Sequence, residues 1–305
     1  MNPRCTAWIL ALTSSSLLWA QGQQAPAPSA AEQAPESSPA PGQATLKAQR
    51  LFASALLERG LSAPAADVAE RLKGLKRSAL EAARELEGQR VGELLRAAVE
   101  QARWRATVDA AGAAQALAER LADLGSDLRF EPRMEAPLPK GFPGPTAVHE
   151  IEVKRYPRYR LAQTSMQDGR QNGAFWRLFG HIKENDIPMT APVETTLAAE
   201  GERLVEARMA FLYEAPEQGP ASAQDQAVSV ETIEPMTVLS LGCRGNDSRA
   251  RIEQAHSLLQ AWLAANPTWR PAGPLRTFGY NSPMVRGDQR TFEVQLPIEP
   301  ALQNP

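Results

Sequence analysis

Two hydrophobic rhythms divide this chain. Between Thr45 and Leu128, apolar residues return every three or four positions among Ala, Arg and Glu; Leu86, Val91, Leu94, Leu95 and Val99 form one such series. That spacing is the period of a helix with one apolar face, and Ala, Leu, Arg and Glu are strong helix formers. Ser78-Ala-Leu-Glu81 has the form of a capping box, in which the Ser oxygen takes the N3 amide and the Glu reaches back. Pro64, behind Ser62, suits a first helical turn, and Gly125, after Leu124, suits a helix stop. Residues 45–128 are therefore predicted to be an all-α helical domain of three or four helices, an antiparallel bundle or hairpin. Its charges are mixed in sign and fall mostly on the solvent side. A partner-binding or dimerising module and a packing appendage both fit.

From His149 the period shortens to two. Ile151, Val153 and Arg155 alternate with Glu150, Glu152 and Lys154, and Tyr159, Leu161 and Gln163 follow, which predicts two strands jointed at Pro157. In "GAFWRLFGHIKEN" the helical period returns, with Phe175, Leu178, Phe179 and Ile182 on one side. "PMTAPVETTL" and "RLVEARMAFLYE" predict two more strands. Pro188 and Pro192 stop the helix; Pro192 has no amide to donate and belongs at a strand edge or bulge. Met189 and Val193, four apart, share a face. The order then repeats. "VETIEPMTVLSLGC" predicts strand, and "DSRARIEQAHSLLQAWLAAN" predicts a helix capped by Asp247 or Ser248, with Ile252, Ala255, Leu259 and Leu263 on one side. "GPLRTFGYNSP" and "RTFEVQLPIE" predict the closing strands. Residues 148–299 thus form an α+β unit of two β-α-β-β repeats, with both helices covering one antiparallel sheet that curls into a barrel.

The flanking segments are of other kinds. Residues 1–20 have a positive start at Arg4, an apolar run from Ala7 to Trp19 and a small residue, Ala20: the pattern of a secretory signal peptide, which predicts an exported, periplasmic or secreted, protein. The run is too short for a membrane span, so no transmembrane segment is expected in the mature chain. Residues 21–44 are Pro, Ala, Gln and Ser, a disordered tether that buries too little apolar surface to fold. Residues 129–147 are dense in Pro and Gly, a linker or a wrap-around loop, and 300–305 are a tail. Removing the leader leaves Cys243 as a lone cysteine in an apolar run, which reads as a core residue. The formal net charge of −2 offers no basic excess for nucleic acid. His149, His181 and His256 stand apart from one another, with no ligand spacing for structural zinc.

"IEVKRYP", "FWRLFGHIKEN", "IPMTAPV" and "FGYNSPMVRGDQRTFEVQLPI", in that order, resemble the SOUL haem-binding family over about residues 148–299. The Met189-Thr190-Ala191-Pro192-Val193 block carries most of the likeness. The resemblance implies a distorted β-barrel of about eight strands with two helices, and a cleft bordered by the first helix that takes a tetrapyrrole. For such a ligand, Phe175, Leu178, Phe179, Ile182 and Met189 are the candidate apolar slot; Arg177, Lys183 and Arg158 are candidates to pair with the propionates. His181 is a weak axial candidate, placed by the helical wheel on the flank or outside. The expected function is an exported haem or tetrapyrrole carrier, buffer or scavenger, not an enzyme, with haem as a non-catalytic ligand and a protein partner for the helical domain. The alternatives are a module for another amphipathic ligand and a hydrolase using a strand Glu such as Glu194, Glu206 or Glu293. A Glu with a Tyr beside it in an open cleft would favour the hydrolase.

Overall fold

The structure is a computed structural model that describes residues 41–166, 171–201, 203–219 and 227–301. The predicted leader, all but the end of the tether, and the last residues of the tail lie outside the described residues. Four helices come first: α1 (Pro41–Ser62), α2 (Val68–Glu85), α3 (Arg90–Ala106) and α4 (Ala110–Leu128). The reciprocal cap stands at Asp67 and Glu70, not at Ser78 and Glu81. Asp67 Oδ1 accepts from Glu70 N at 2.8 Å, and Glu70 Oε2 accepts from Ala66 N at 2.8 Å. Ser78 is buried inside α2, because the cap at Asp67 starts the helix earlier and the strong formers Leu72, Lys73, Leu75, Lys76 and Arg77 carry it through. Gly125 likewise lies inside α4, which runs on to Leu128. Leu57, Leu75, Leu95, Val99, Leu121 and Leu124 are fully buried where the helices meet, each stabilising the bundle by about 1.5–3 kcal/mol.

The strands are β1 (Ile151–Tyr156), β2 (Tyr159–Ser165), β3 (Val193–Glu200), β4 (Arg203–Leu212), β5 (Ser229–Ile233), β6 (Met236–Arg244), β7 (Trp269–Pro271), β8 (Arg276–Gly279) and β9 (Thr291–Pro300). Helix α5 (Gln171–Glu184) follows β2, and α6 (Arg249–Ala265) follows β6. Each repeat therefore has two strands ahead of its helix, β-β-α-β-β. The strands form one antiparallel sheet in the order β1-β6-β9-β8-β3-β4-β2-β5, with short β7 added beside β9. Exchanging the repeats (β1 with β5, β2 with β6, β3 with β8, β4 with β9) reverses this order and leaves it unchanged. The sheet thus has a pseudo-two-fold axis between β3 and β8. Pro192 sits one residue before β3, where its missing donor costs no ladder bond, and the Ala191–Pro192 peptide is cis.

Alternation along the strands separates two faces. Phe292, Val294, Leu296 and Ile298 of β9, with Leu239 and Leu241 of β6, pack under α6 residues Ile252, Ala255 and Leu259. Ala162 of β2, with Met209 and Phe211 of β4, packs under α5. The other, inner face carries Tyr156, Tyr159, Leu161, Leu212 and Phe278 together with charged and amide side chains. On β1 the expected polarity is inverted: Val153 is 41% exposed and Lys154 only 5%. Burial follows the charge partner on β9, not hydrophobicity.

Residues 131–147 take the wrap-around form and strap the inner face. Ala136, Leu138 and Phe142 pack on the tyrosine cluster, and Phe142 meets Tyr156 and Tyr159 edge-on, with ring centres 4.8 and 5.1 Å apart. Asn281 Nδ2 donates to Arg133 O (2.6 Å), Ala191 N to Pro137 O (2.9 Å) and Lys140 N to Glu214 O (2.8 Å). The strap's end crosses Gly242, where a Cβ would stand 2.3 Å from the carbonyl oxygens of Thr146 and Ala147, so only glycine fits. Residues from Leu46 onward form one compact unit. Glu150 fastens its two parts: its carboxylate accepts from Arg90 N (2.8 Å) and Val91 N (3.1 Å) at the start of α3 and pairs with Arg50 (3.3 Å). Asp127 adds contacts to His149 (2.7 Å) and Arg244 (3.1 Å).

Candidate functional site

Helix α5 is turned on its axis relative to the sequence expectation. Its buried line is Ala174, Leu178, His181 and Ile182. At about 100° per residue, this stripe is centred roughly 60° from the one predicted through Phe175, Leu178, Phe179 and Ile182. Leu178 and Ile182 are core; Phe175, Phe179 and Met189 sit half-buried at its margin. Trp176 is 61% exposed. Trp176 meets Phe175 and Phe179 edge-on at 5.6 and 5.7 Å, while Phe175 and Phe179 stack at 6.1 Å with 12° between their planes. The result is an aromatic ledge along the outer side of α5. Sequence reasoning passed over Trp176; the signal was a Trp on the nominally polar side of an amphipathic helix, next to two Phe.

His181 is not on the outside. It is 5% exposed, its Nε2 is 2.8 Å from the Tyr213 hydroxyl, and Asn185 Nδ2 is 3.4 Å from its Nδ1. Small Ala174 lets α5 approach the sheet closely, and Tyr213, just past the end of β4, offers the imidazole a polar partner under the helix. Burial pushes the Tyr213 hydroxyl up to about 12, so it stays protonated at neutral pH. With both ring nitrogens facing protein partners, this arrangement presents no axial nitrogen at the surface. Among the proposed cations, Arg177 is tied to the end of β2 through Thr164 Oγ1 (3.2 Å) and Ser165 O (2.8 Å). Lys183 is exposed on the same helix. Arg158 lies in the β1–β2 turn and pairs with Glu234 at 3.6 Å.

The inner face holds a dense polar network. Glu293, fully buried, takes the Lys154 ammonium and the Thr146 amide on Oε1; Tyr280 (2.8 Å) and Gln295 Nε2 (2.7 Å) donate to Oε2. Burial alone would raise this carboxyl, but the Lys154 charge and these donors hold it below the usual range. Beside it, Arg276 joins Glu194 (3.2 Å), Tyr159 (2.8 Å) and Gln295 (3.1 Å), with its guanidinium carbon 4.5 Å from the Phe278 ring centre. Glu194 and Arg276 hold equivalent places about the pseudo-two-fold axis, flanking the paired Thr195 and Thr277. Burial raises Tyr156 and Tyr280 well above the ordinary phenol range and Tyr159 to about 12. Glu293 does have a tyrosine beside it, but under the strap and with both oxygens taken. The inner face is thus polar within and covered by the protein's own chain, which leaves the ledge on α5 as an accessible aromatic surface of the β domain.

Burial pushes the Cys243 thiol up to about 12, so it is neither a thiolate nucleophile nor a ready metal ligand. No group of three His, Cys, Asp or Glu is placed to hold a metal ion among the described residues, and no described helix is long and apolar enough to cross a membrane.

No curated protein matches the chain. Among solved structures it is similar to the EcmrR C-terminal domain, at 14% identity and a TM-score of 0.39 over 50% of this chain and 98% of the other. It is also similar to a hydrolase from Listeria innocua, at 12% identity and a TM-score of 0.38 over 50% and 93%. The model of the SOUL heme-binding protein family matches residues 145–297, just over half of the 305-residue chain. That span runs from the end of the strap to β9, through both repeats and the aromatic ledge, and the chain belongs to the SOUL heme-binding protein family.

Proposed function

We propose that this chain is an exported binding protein for haem or a related tetrapyrrole, acting as carrier, buffer or scavenger. The observation that carries the reading is the Phe175–Trp176–Phe179 ledge on α5 of a SOUL-family sheet: an exposed indole backed by two half-buried Phe rings, suited to stacking on a flat conjugated ring. Lys183 and Arg177 on the same helix supply positive charge for carboxylate side arms. The fit is that of a ring held by stacking and charge, since His181 faces inward. Binding is favoured over catalysis because Glu293, a buried carboxylate hydrogen-bonded to a tyrosine, is fully engaged by structural donors, and buried Glu194 is held by Arg276. Export rests on the leader-like residues 1–20.

Titration of the full chain with haem is the test. The expected result is a shifted, intensified Soret band at micromolar protein, weakened roughly tenfold in affinity by Trp176→Ala. A haem spectrum unchanged by protein at micromolar levels would overturn the reading. His181→Ala should leave the band position unaltered, because the ring is not the iron's ligand; a changed band would restore axial ligation.

A further inference from the structure

We infer that the helical bundle carries a docking face for the anionic surface of a phospholipid bilayer, independent of the ledge on α5. Lys73, Lys76, Arg77 and Arg84 of α2 and Arg103 of α3 line a groove of about 430 Å³ floored by Leu80. On α2 the other cations follow Lys73 by three, four and eleven residues, along a single side. Glu81 also reaches this groove, but it is drawn off by Arg59 at 3.3 Å; Arg103 is paired with Glu100 at 2.6 Å. Neither acid reaches Lys73, Lys76, Arg77 or Arg84 among the described residues. In a chain of net charge −2, this is a local concentration of unneutralised positive charge.

A second observation selects a bilayer over a soluble anion. Just beyond Arg103, the last turn of α3 and the turn that follows it hold two of the most exposed large apolar residues of the described chain, Trp104 (76%) and Val108 (86%), with Arg105 between them. Val68 (43% exposed) opens α2 at the same end of the bundle, since α2 and α3 run antiparallel. Water-exposed Trp and Val at a tip bordered by Lys and Arg match the layered chemistry of a lipid interface. Indole sits at the headgroup level, the aliphatic group below it, and cations meet the phosphates. A soluble phosphate would be met by the cations alone and gives the apolar tip no partner.

Co-sedimentation of the full chain with phosphatidylglycerol-containing vesicles and with pure phosphatidylcholine vesicles tests this. The expected result is binding to the anionic vesicles that falls by at least about tenfold on neutral vesicles, in high salt, and in the exposed double variant Lys73→Glu/Arg77→Glu. Trp104→Ala should weaken binding severalfold with circular dichroism unchanged. Equal binding by parent and double variant, equal binding to both lipids, or no binding would overturn the proposal. Poly-glutamate competing as well as vesicles, with Trp104→Ala silent, would overturn it in favour of an acidic protein partner. Haem titration reads a different helix, so failure here and failure at the ledge are separable.

Discussion

Helices α5 and α6 occupy matching places in two β-β-α-β-β repeats, yet one turns its tryptophan outward and the other tucks it in. Trp262 of α6 packs against the cluster of Leu239, Leu259 and Leu296, whereas Trp176 of α5 stands 61% exposed beside two half-buried Phe. Both helices bury a comparable line (Ala174, Leu178, Ile182 against Ile252, Ala255, Leu259). The sheet needs only that line from each. What lies beyond it is free to serve a ligand, and only α5 spends aromatic side chains there.

The comparison can be broken first at its common floor. Lys154→Met leaves Glu293 buried without its cation and should cost about 3–5 kcal/mol in urea unfolding, with both helices lost together. If the α5 half melts alone, the repeats are not one cooperative sheet. Next, Leu178→Ala and Leu259→Ala remove equivalent fully buried side chains, and each should cost about 2–5 kcal/mol. A much smaller loss for Leu178→Ala would mean that α5 is loosely held. Third, Trp262→Ala should destabilise by about 1–3 kcal/mol and leave haem titration alone. Trp176→Ala should do the reverse, with stability changed by no more than about 0.5 kcal/mol. Loss of stability in both variants would erase the contrast.

Acid unfolding gives the finest test. Glu293's folded pKa is lowered, so its contribution is complete above the unfolded carboxyl value of about 4.3 and fades as pH falls through the lower, folded value. Glu293→Gln should remove that part of the acid limb while leaving the neutral-pH spectrum of bound haem unaltered.

Much of this was legible in the chain. Period-two and period-three-to-four patterns placed the strands and helices in order, because each element has one apolar side to hide. Three things were not. Lys154 is buried because Glu293 waits on β9, a partner 139 residues away that no local pattern reveals. The rotation of α5 was misread because bulk was taken as the guide, when small Ala174 and polar His181 let the helix sit close above Tyr213. Ser78-Ala-Leu-Glu81 imitates a helix start, but with Lys76 and Arg77 before it and Ala82 and Ala83 after it nothing interrupts the helix already begun at Val68. The ledge itself was half visible: Phe175 and Phe179 were named for the slot, and Trp176, its most exposed member, was not.

The strap across the inner face has a consequence for biosynthesis. Thr146 and Lys154 leave the ribosome early, while the carboxylate that both of them grip belongs to the final strand, 147 and 139 residues later. The curled sheet therefore cannot lock until β9 has been synthesised. Until then Lys154 and the tyrosines wait unsealed beside a strap with nothing to hold. Contacts so distant in sequence make for slow closure, and a chain cut short before β9 would keep its α-helical bundle while its other half stayed open.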